Sequence, residues 1–389
     1  MDVAITGIGQ SDVGRRLGRD ALDLTVDAAL AAMADAGIGP ADVDGVSTWP
    51  GRYEPTPGFS GVGVDEVQDA LRLDLTWFSG GPESAGQLGA VANAAAAVHA
   101  GLATRVLCFR TVNESTAATA DRRAGVVGNG QGRVGPGPFQ WLLPVGAASA
   151  ATWVALYARR AMHLHGLTRE QLGAFVCTVR SHAAGNPKAI YRDPLSLEQY
   201  LDARPIAEPL VLYDCDVPCD GSTAVIVSKG DDERGTDPPL RIEALGTARS
   251  GRPRWEARDD FRTMAAHDAA TMMWARTELE PADVDVAQVY DGFSYLALVW
   301  LEALGFCPVG GAGAFVSDRG TIGLGGTLPV NTGGGQLSAG RLHGFGHLHE
   351  ACVQLWGRGR DRQAPGRPRV AVAAAGGGPL AGCLLLVRP

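Results

Sequence analysis

The chain has 389 residues, 46% of them apolar and 20% charged, enough to bury a large core without a disulfide or metal staple. A net charge of −8 excludes a general nucleic-acid binder, which would need a basic face. No apolar run reaches the roughly 20 residues of a membrane-spanning helix, and an odd number of scattered cysteines, seven, indicates free thiols in a reducing cytoplasm.

The predicted elements alternate between strand and helix. VAITGIGQS, close behind Met1, predicts a strand running into a glycine turn and leaves no room for a secretory signal. DALDLTVDAALAAMADAGI has helical apolar spacing and a terminal glycine. VDGVSTW reads as a strand, and LGAVANAAAAVHAGLATRVLCFR as a second helix–strand pair whose alanine-rich helix suits a central, close-packed position. Residues at about 110–210 are irregular and read as an insertion, with helices around ATWVALYARRAMHLHG and LTREQLGAFVCTVRSHA. STAVIVSKG closes a first half, residues 1–230, and DDERGTDPP reads as a linker. A second half, residues 240–389, repeats the alternation. Strand RIEALGTA, helix HDAATMMWARTEL, strand DVDVAQVYD and helix LALVWLEALGF lead to the paired strands RVAVAAAGGG and CLLLVRP. This order implies layered α/β architecture.

Three stretches carry a family resemblance over nearly the whole chain. LVLYDCDVPCDGSTAVIVS, VYDGFSY and NTGGGQLSAGRLHGFGHLHEA, the last followed by AVAAAGGGPLAGC, are similar in order and spacing to the motifs of the thiolase superfamily, especially its lipid-transfer-protein-like branch related to sterol-carrier thiolases. The resemblance implies a duplicated, five-layered αβαβα fold. Where that family places a nucleophilic cysteine, this chain has Glu83-Ser84-Ala85-Gly86; where it places a second cysteine, Ala374; and where it places a histidine, Gly340-Arg341-Leu342. Serine is a poor substitute for the thiol without a base beside it. The pattern resembles thiolase-like aldolases in which tyrosines replace the thiolase groups. Such a resemblance implies retro-aldol cleavage of a β-hydroxy steroid side-chain acyl-CoA (17-hydroxy steroid-22-oyl-CoA type) to a 17-ketosteroid and propionyl-CoA. It also implies a homodimer core bound to a small OB-fold, zinc-ribbon partner as an α2β2 complex. No cofactor is expected in this chain, with any zinc belonging to the partner.

Retro-aldol chemistry needs a base for the β-hydroxyl and a device that stabilises the departing enolate. Neither Lys188, in the insertion, nor Lys229, after a strand, falls where a Schiff-base lysine would be needed. His343, His347, His349 and Glu350 resemble a metal cluster in spacing but offer no clear third ligand, so no metal is expected. A thioester enolate can instead be held by preorganised donors. Tyr290 is the candidate for proton transfer or oxyanion donation, and His343 is the second acid/base candidate because imidazole titrates near neutral pH. Tyr295, one turn on, is a further catalytic candidate that either lines the pocket or packs. Arg341 either binds substrate or forms a structural salt bridge. Asp291, at the same turn, is a substrate-binding candidate whose expected role is nonetheless a helix cap. Gly377 and Gly378 either neighbour the oxyanion or make a tight turn. Two other readings stay open: a degenerate acyltransferase using Ser84, and a lipid-CoA binder without catalysis.

Overall fold

The computed structural model describes residues 2–53, 56–118, 142–147, 149–249, 254–255 and 258–389. Part of the predicted insertion, 119–141, lies outside the described residues. Nine strands form one sheet among the described residues, in the order β3 (Trp77–Gly80), β2 (Gly45–Thr48), β4 (Arg105–Asn113), β7 (Asp220–Lys229), β1 (Val3–Gln10), β8 (Leu240–Ala248), β11 (Ala381–Val387), β10 (Val370–Gly376) and β9 (Val286–Gln288). A separate two-stranded ribbon joins β5 (Pro205–Ala207) to β6 (Leu210–Val211). The strands of the two halves meet where Ala4 and Ile5 of β1 pair with Arg241 and Leu240 of β8.

Alternation along the strands explains the layers, because successive side chains leave a strand on opposite faces. In β7, Ala224 and Ile226 pack under helix α1 (Ala21–Asp35) and helix α2 (Val64–Leu71), whereas Val225 and Val227 face inward. In β10, Val372 and Ala374 pack under the outer helices of the second half, whereas Ala371, Ala373 and Ala375 face inward. Both inward faces bury against α3 (Gly89–His99) and the last helix of the chain, whose Ala90, Ala94, Leu348 and Ala351 share one core with them. The order is therefore helices, strands, α3 with the last helix, strands, helices: the five-layered thiolase fold.

Two further helices, α4 (Ala150–His165) and α5 (Arg169–Ala183), fall at the two helical stretches predicted in the insertion. They pack on the second half beside α6 (Ala265–Trp274) and α7 (Ser294–Ala303). The last helix, α8 (Phe345–Leu355), follows the glycine-rich loop. Helix α2 and strand β3 were not evident from the sequence. The stretch DVDVAQVYD forms a strand only over Val286–Gln288, since Val289 leaves the ladder to pair with a side chain described below.

Candidate active site

Strand β9 ends one residue before a polar turn that carries Tyr290. Asn331, fully buried with φ +49°, grips this turn: Val289 N donates to Asn331 Oδ1 at 2.8 Å, and Asn331 Nδ2 donates to Val289 O at 2.9 Å. Asp291, also fully buried, was expected to cap α7. Its carboxylate instead accepts from Gln336 N at 2.7 Å, and no side chain caps α7, whose N-cap position is Phe293. The correction has a steric reason. Gly334 and Gly335 both have positive φ and open a π-type turn, Gly335–Ala339, whose amide groups face Asp291; a Cβ on Gly335 would stand 1.9 Å from Asp291 Oδ2. Gly292 lets the Tyr290 ring fold back over the chain, since a Cβ there would meet the ring at 2.6 Å. Asp214 fixes the start of α7 by accepting from Ser294 Oγ at 2.5 Å and Tyr200 Oη at 2.8 Å.

Around Tyr290 lies a buried set of charges. Arg341 donates from Nε to Glu114 Oε2 at 2.8 Å and from a terminal nitrogen to Asp216 Oδ1 at 3.0 Å. Arg110, 1% exposed in the middle of β4, donates to His343 Nδ1 at 2.8 Å and stacks on Phe59, 4.7 Å from its ring centroid. Burial pulls the Arg110 guanidinium down to about 10, still charged at neutral pH. A guanidinium only donates, so His343 Nδ1 accepts and its ring proton sits on Nε2. Burial, then the charges of Arg110 and Arg341, hold His343 well below the usual histidine range. His343 is therefore corrected from an acid/base titrating near neutrality to a neutral N–H donor. Burial first, then the neighbouring Asp216, raise the Tyr290 phenol well above its usual value, so it too is a donor at neutral pH. The Gln336 side chain adjoins the phenol, yet neither of its amide atoms has an aligned hydrogen-bond partner among the described residues. His347 Nε2 lies 3.0 Å from Asp291 Oδ1 but off the line of a hydrogen bond, and its ring meets Tyr290 edge-on at 6.3 Å.

Other candidates fall elsewhere. Tyr295 is 6% exposed and lines a different cavity with Leu164, Phe261, Leu298 and Glu302, whose walls do not include Tyr290 or His343. Gly377 donates its N–H to Leu380 O at 2.9 Å, so this amide is not offered to an oxyanion. Its carbonyl and that of Gly378 accept from Ala266 N and Ala265 N, which makes the turn an anchor for the start of α6. Of the His and Glu set, His347, His349 and Glu350 line one cavity, where Glu350 pairs with Arg362 at 3.1 Å and His347 faces Asp291, whereas His343 faces Arg110. Lys188 donates to the carbonyls of Gln10 and Ser11 at 2.7 and 2.9 Å. Ser84 Oγ is buried with no hydrogen-bond partner among the described residues, so nothing there activates it. Ala374 is fully buried beneath the outer helices.

Sequence reasoning missed Arg110, Glu114, Asp216 and Gln336. Arg110 had a legible signal: an arginine inside the apolar strand RVLCFRTVN must either end the strand or be paired in the interior. Asp216 and Glu114 had none, because they are brought to Arg341 only by folding.

Residues 247–387 match the family described as thiolase C-terminal domain-like. A steroid side-chain-cleaving aldolase of Thermomonospora curvata is 36% identical, covering 98% of this chain and 97% of its own. The 17-hydroxy-3-oxo-4-pregnene-20-carboxyl-CoA lyase of Mycobacterium tuberculosis is 35% identical, covering 98% of each chain. The solved structure of the Ltp2-ChsH2(DUF35) aldolase superposes with a TM-score of 0.86 at 34% identity, covering 99% of this chain and 97% of that one. With the fold and a site stripped of thiolase chemistry, these similarities show that the chain belongs to the thiolase superfamily, in the branch of the steroid side-chain-cleaving aldolases.

Proposed function

We propose that this protein is a carbon–carbon lyase that cleaves a 17-hydroxy steroid-22-oyl-CoA by retro-aldol reaction to a 17-ketosteroid and propionyl-CoA. The observation that carries this reading is that Arg110 occupies His343 Nδ1, which leaves the Nε2–H as a donor in the same buried set as the protonated Tyr290 phenol, with no activated nucleophile among the described residues. Cleavage moves the electron pair of the Cα–Cβ bond onto the thioester, which becomes an enolate. Fixed donors in a water-poor site stabilise that oxygen without having to reorganise. The charged Arg110 behind His343 strengthens the imidazole N–H as a donor, and Asn331 fixes the turn that aims Tyr290. Neither donor supplies a nucleophile, so acyl transfer is disfavoured.

Assembly follows the same reasoning. The solved Ltp2-ChsH2(DUF35) aldolase supports a complex with a small second chain here, which we take to be an OB-fold, zinc-ribbon protein in an α2β2 arrangement around a homodimer core. A cytoplasmic location is part of this reading; among the described residues no helix is long and apolar enough to cross a membrane.

The test is to co-express the chain with such a partner, supply 17-hydroxy steroid-22-oyl-CoA and follow propionyl-CoA by chromatography. Wild type releases it, and Tyr290→Phe lowers kcat by about 10²–10³-fold with little change in KM, as for loss of one oxyanion donor. Tight binding without release would support the binder reading instead.

A further inference from the structure

Retro-aldol cleavage leaves one proton without an acceptor, and this inference rests on that proposed reaction. Tyr290 is protonated, His343 presents Nδ1 to Arg110, Lys188 is committed to two carbonyls and Ser84 is unpaired. Three carboxylates surround Tyr290 and Arg341. Asp291 receives Gln336 N and faces His347, and Glu114 receives Arg341 Nε. Asp216 gives only Oδ1 to Arg341, as Glu114 gives only Oε2, and no described residue donates to Asp216 Oδ2 or Glu114 Oε1; of the two, Asp216 is the carboxylate whose charge acts on the Tyr290 phenol.

The main chain places this residue with care. Asp216 N donates to Gly292 O at 3.2 Å, directly behind Tyr290. Val217 N donates to Gln336 O at 3.1 Å, and Arg341 N donates to Val217 O at 2.8 Å. Cys215 bridges to Phe293. Asp216 is thus tied to the turn that carries Tyr290, the turn that carries Gln336 and the residue that replaces the thiolase histidine.

We infer that Asp216 is the general base of the reaction: its free Oδ2 takes the proton of the substrate β-hydroxyl and returns it to the enolate carbon. The O–H pair becomes the carbonyl π bond of the ketone, the Cα–Cβ bond breaks, and its electrons form the thioester enolate. The same proton then closes the Cα–H bond of propionyl-CoA, so no further reactant is required.

The electrostatics agree. Burial pushes the Asp216 carboxyl up to about 7, against the pull of Arg341, with Glu114 and Asp291 adding to the rise. Arg341 from the glycine-rich loop, Glu114 after β4, Tyr290 and Asp291 on the turn, Cys215 beside it and Cys219 just before β7 are the titratable groups that face it among the described residues. A base poised near the working pH balances availability against strength.

The experiment uses the co-expressed protein with 17-hydroxy steroid-22-oyl-CoA. Asp216→Asn keeps an acceptor for Arg341; it should fold with an unchanged Tm yet lose about 10²–10⁴-fold in kcat/KM. The wild-type acid limb near pH 7 should vanish in this variant. Asp216→Ala should regain turnover with added formate. Activity of Asp216→Asn within tenfold of wild type, or persistence of the limb, would overturn the assignment. If wild type releases no propionyl-CoA, the proposed reaction fails separately, and infrared titration judges Asp216 alone. A carboxyl band lost from wild type between about pH 6 and 8, and missing in Asp216→Asn, sustains it as a proton acceptor. A group ionised down to about pH 5 refutes it.

Discussion

At the scale of single residues, the site works through what its neighbours forbid. Arg110 cannot accept a hydrogen bond, and that fixes the His343 tautomer. This predicts an unusual hierarchy of substitutions. His343→Gln can still accept from Arg110 with its carbonyl and donate with its amide, so it should keep more than about a tenth of wild-type kcat. His343→Leu leaves a buried guanidinium nitrogen unpaired and removes the donor; we expect a loss of about 10²–10³-fold in kcat and about 1–3 kcal/mol of stability by denaturant titration. Tyr290 yields a pH prediction. Its phenol is raised above the ordinary tyrosine value, so ionisation of Tyr290 should give no alkaline limb in kcat/KM below about pH 10. A limb near pH 9 that disappears in Tyr290→Phe would contradict the donor role.

At the scale of elements, the decisive device is a pair of turns clasped by two side chains. Asn331 replaces the strand ladder at Val289, and Asp291 replaces helix contacts in the glycine-rich turn. Asn331→Ala strands a buried N–H and a buried C=O, which should cost about 3 kcal/mol and lower kcat beyond what the lost stability explains. Thermal melting alongside turnover separates the two effects. Much of this level was legible in the sequence. Periodicity located most helices and strands, the helices of the insertion included, and VYDGFSY marked the turn that carries the phenol. The roles of Asp291, His343 and Gly377 were not legible. Each depends on a partner far along the chain: Gln336 for Asp291, Arg110 for His343, and the start of α6 for the carbonyl of Gly377. A local cap or turn rule is blind to such a partner. The short strand β3 was missed for a related reason: its four residues alternate half-buried and exposed and pair with β2 alone.

At the scale of the whole molecule, buried ionisable groups couple folding to pH in opposite directions. His349 is pulled down to about 3 by burial and by Lys188, Arg362 and Arg358. Its unfolded form titrates near 6.5, so the unfolded chain binds more protons between those values, and acidification through this window removes stability. Asp216, raised to about 7, binds its proton more readily when folded, so between about pH 7 and 4 it offsets that loss. The two slopes oppose each other, and a variant is needed to expose the histidine. Between about pH 6.5 and 4, wild type should lose up to about 1.4 kcal/mol per pH unit relative to His349→Gln, measured by denaturant unfolding. The thiols tell a simpler story. Cys108, Cys219, Cys352 and Cys383 are buried with their pKa values pushed up, and Cys215, only partly exposed, is raised to about 12. A scaffold whose relatives by fold depend on a reactive sulfur should here resist alkylation while folded, since Cys177 and Cys307 are buried as well. One cysteine introduced on the surface would thus accept a maleimide dye or a tether selectively, with every native sulfur left in place.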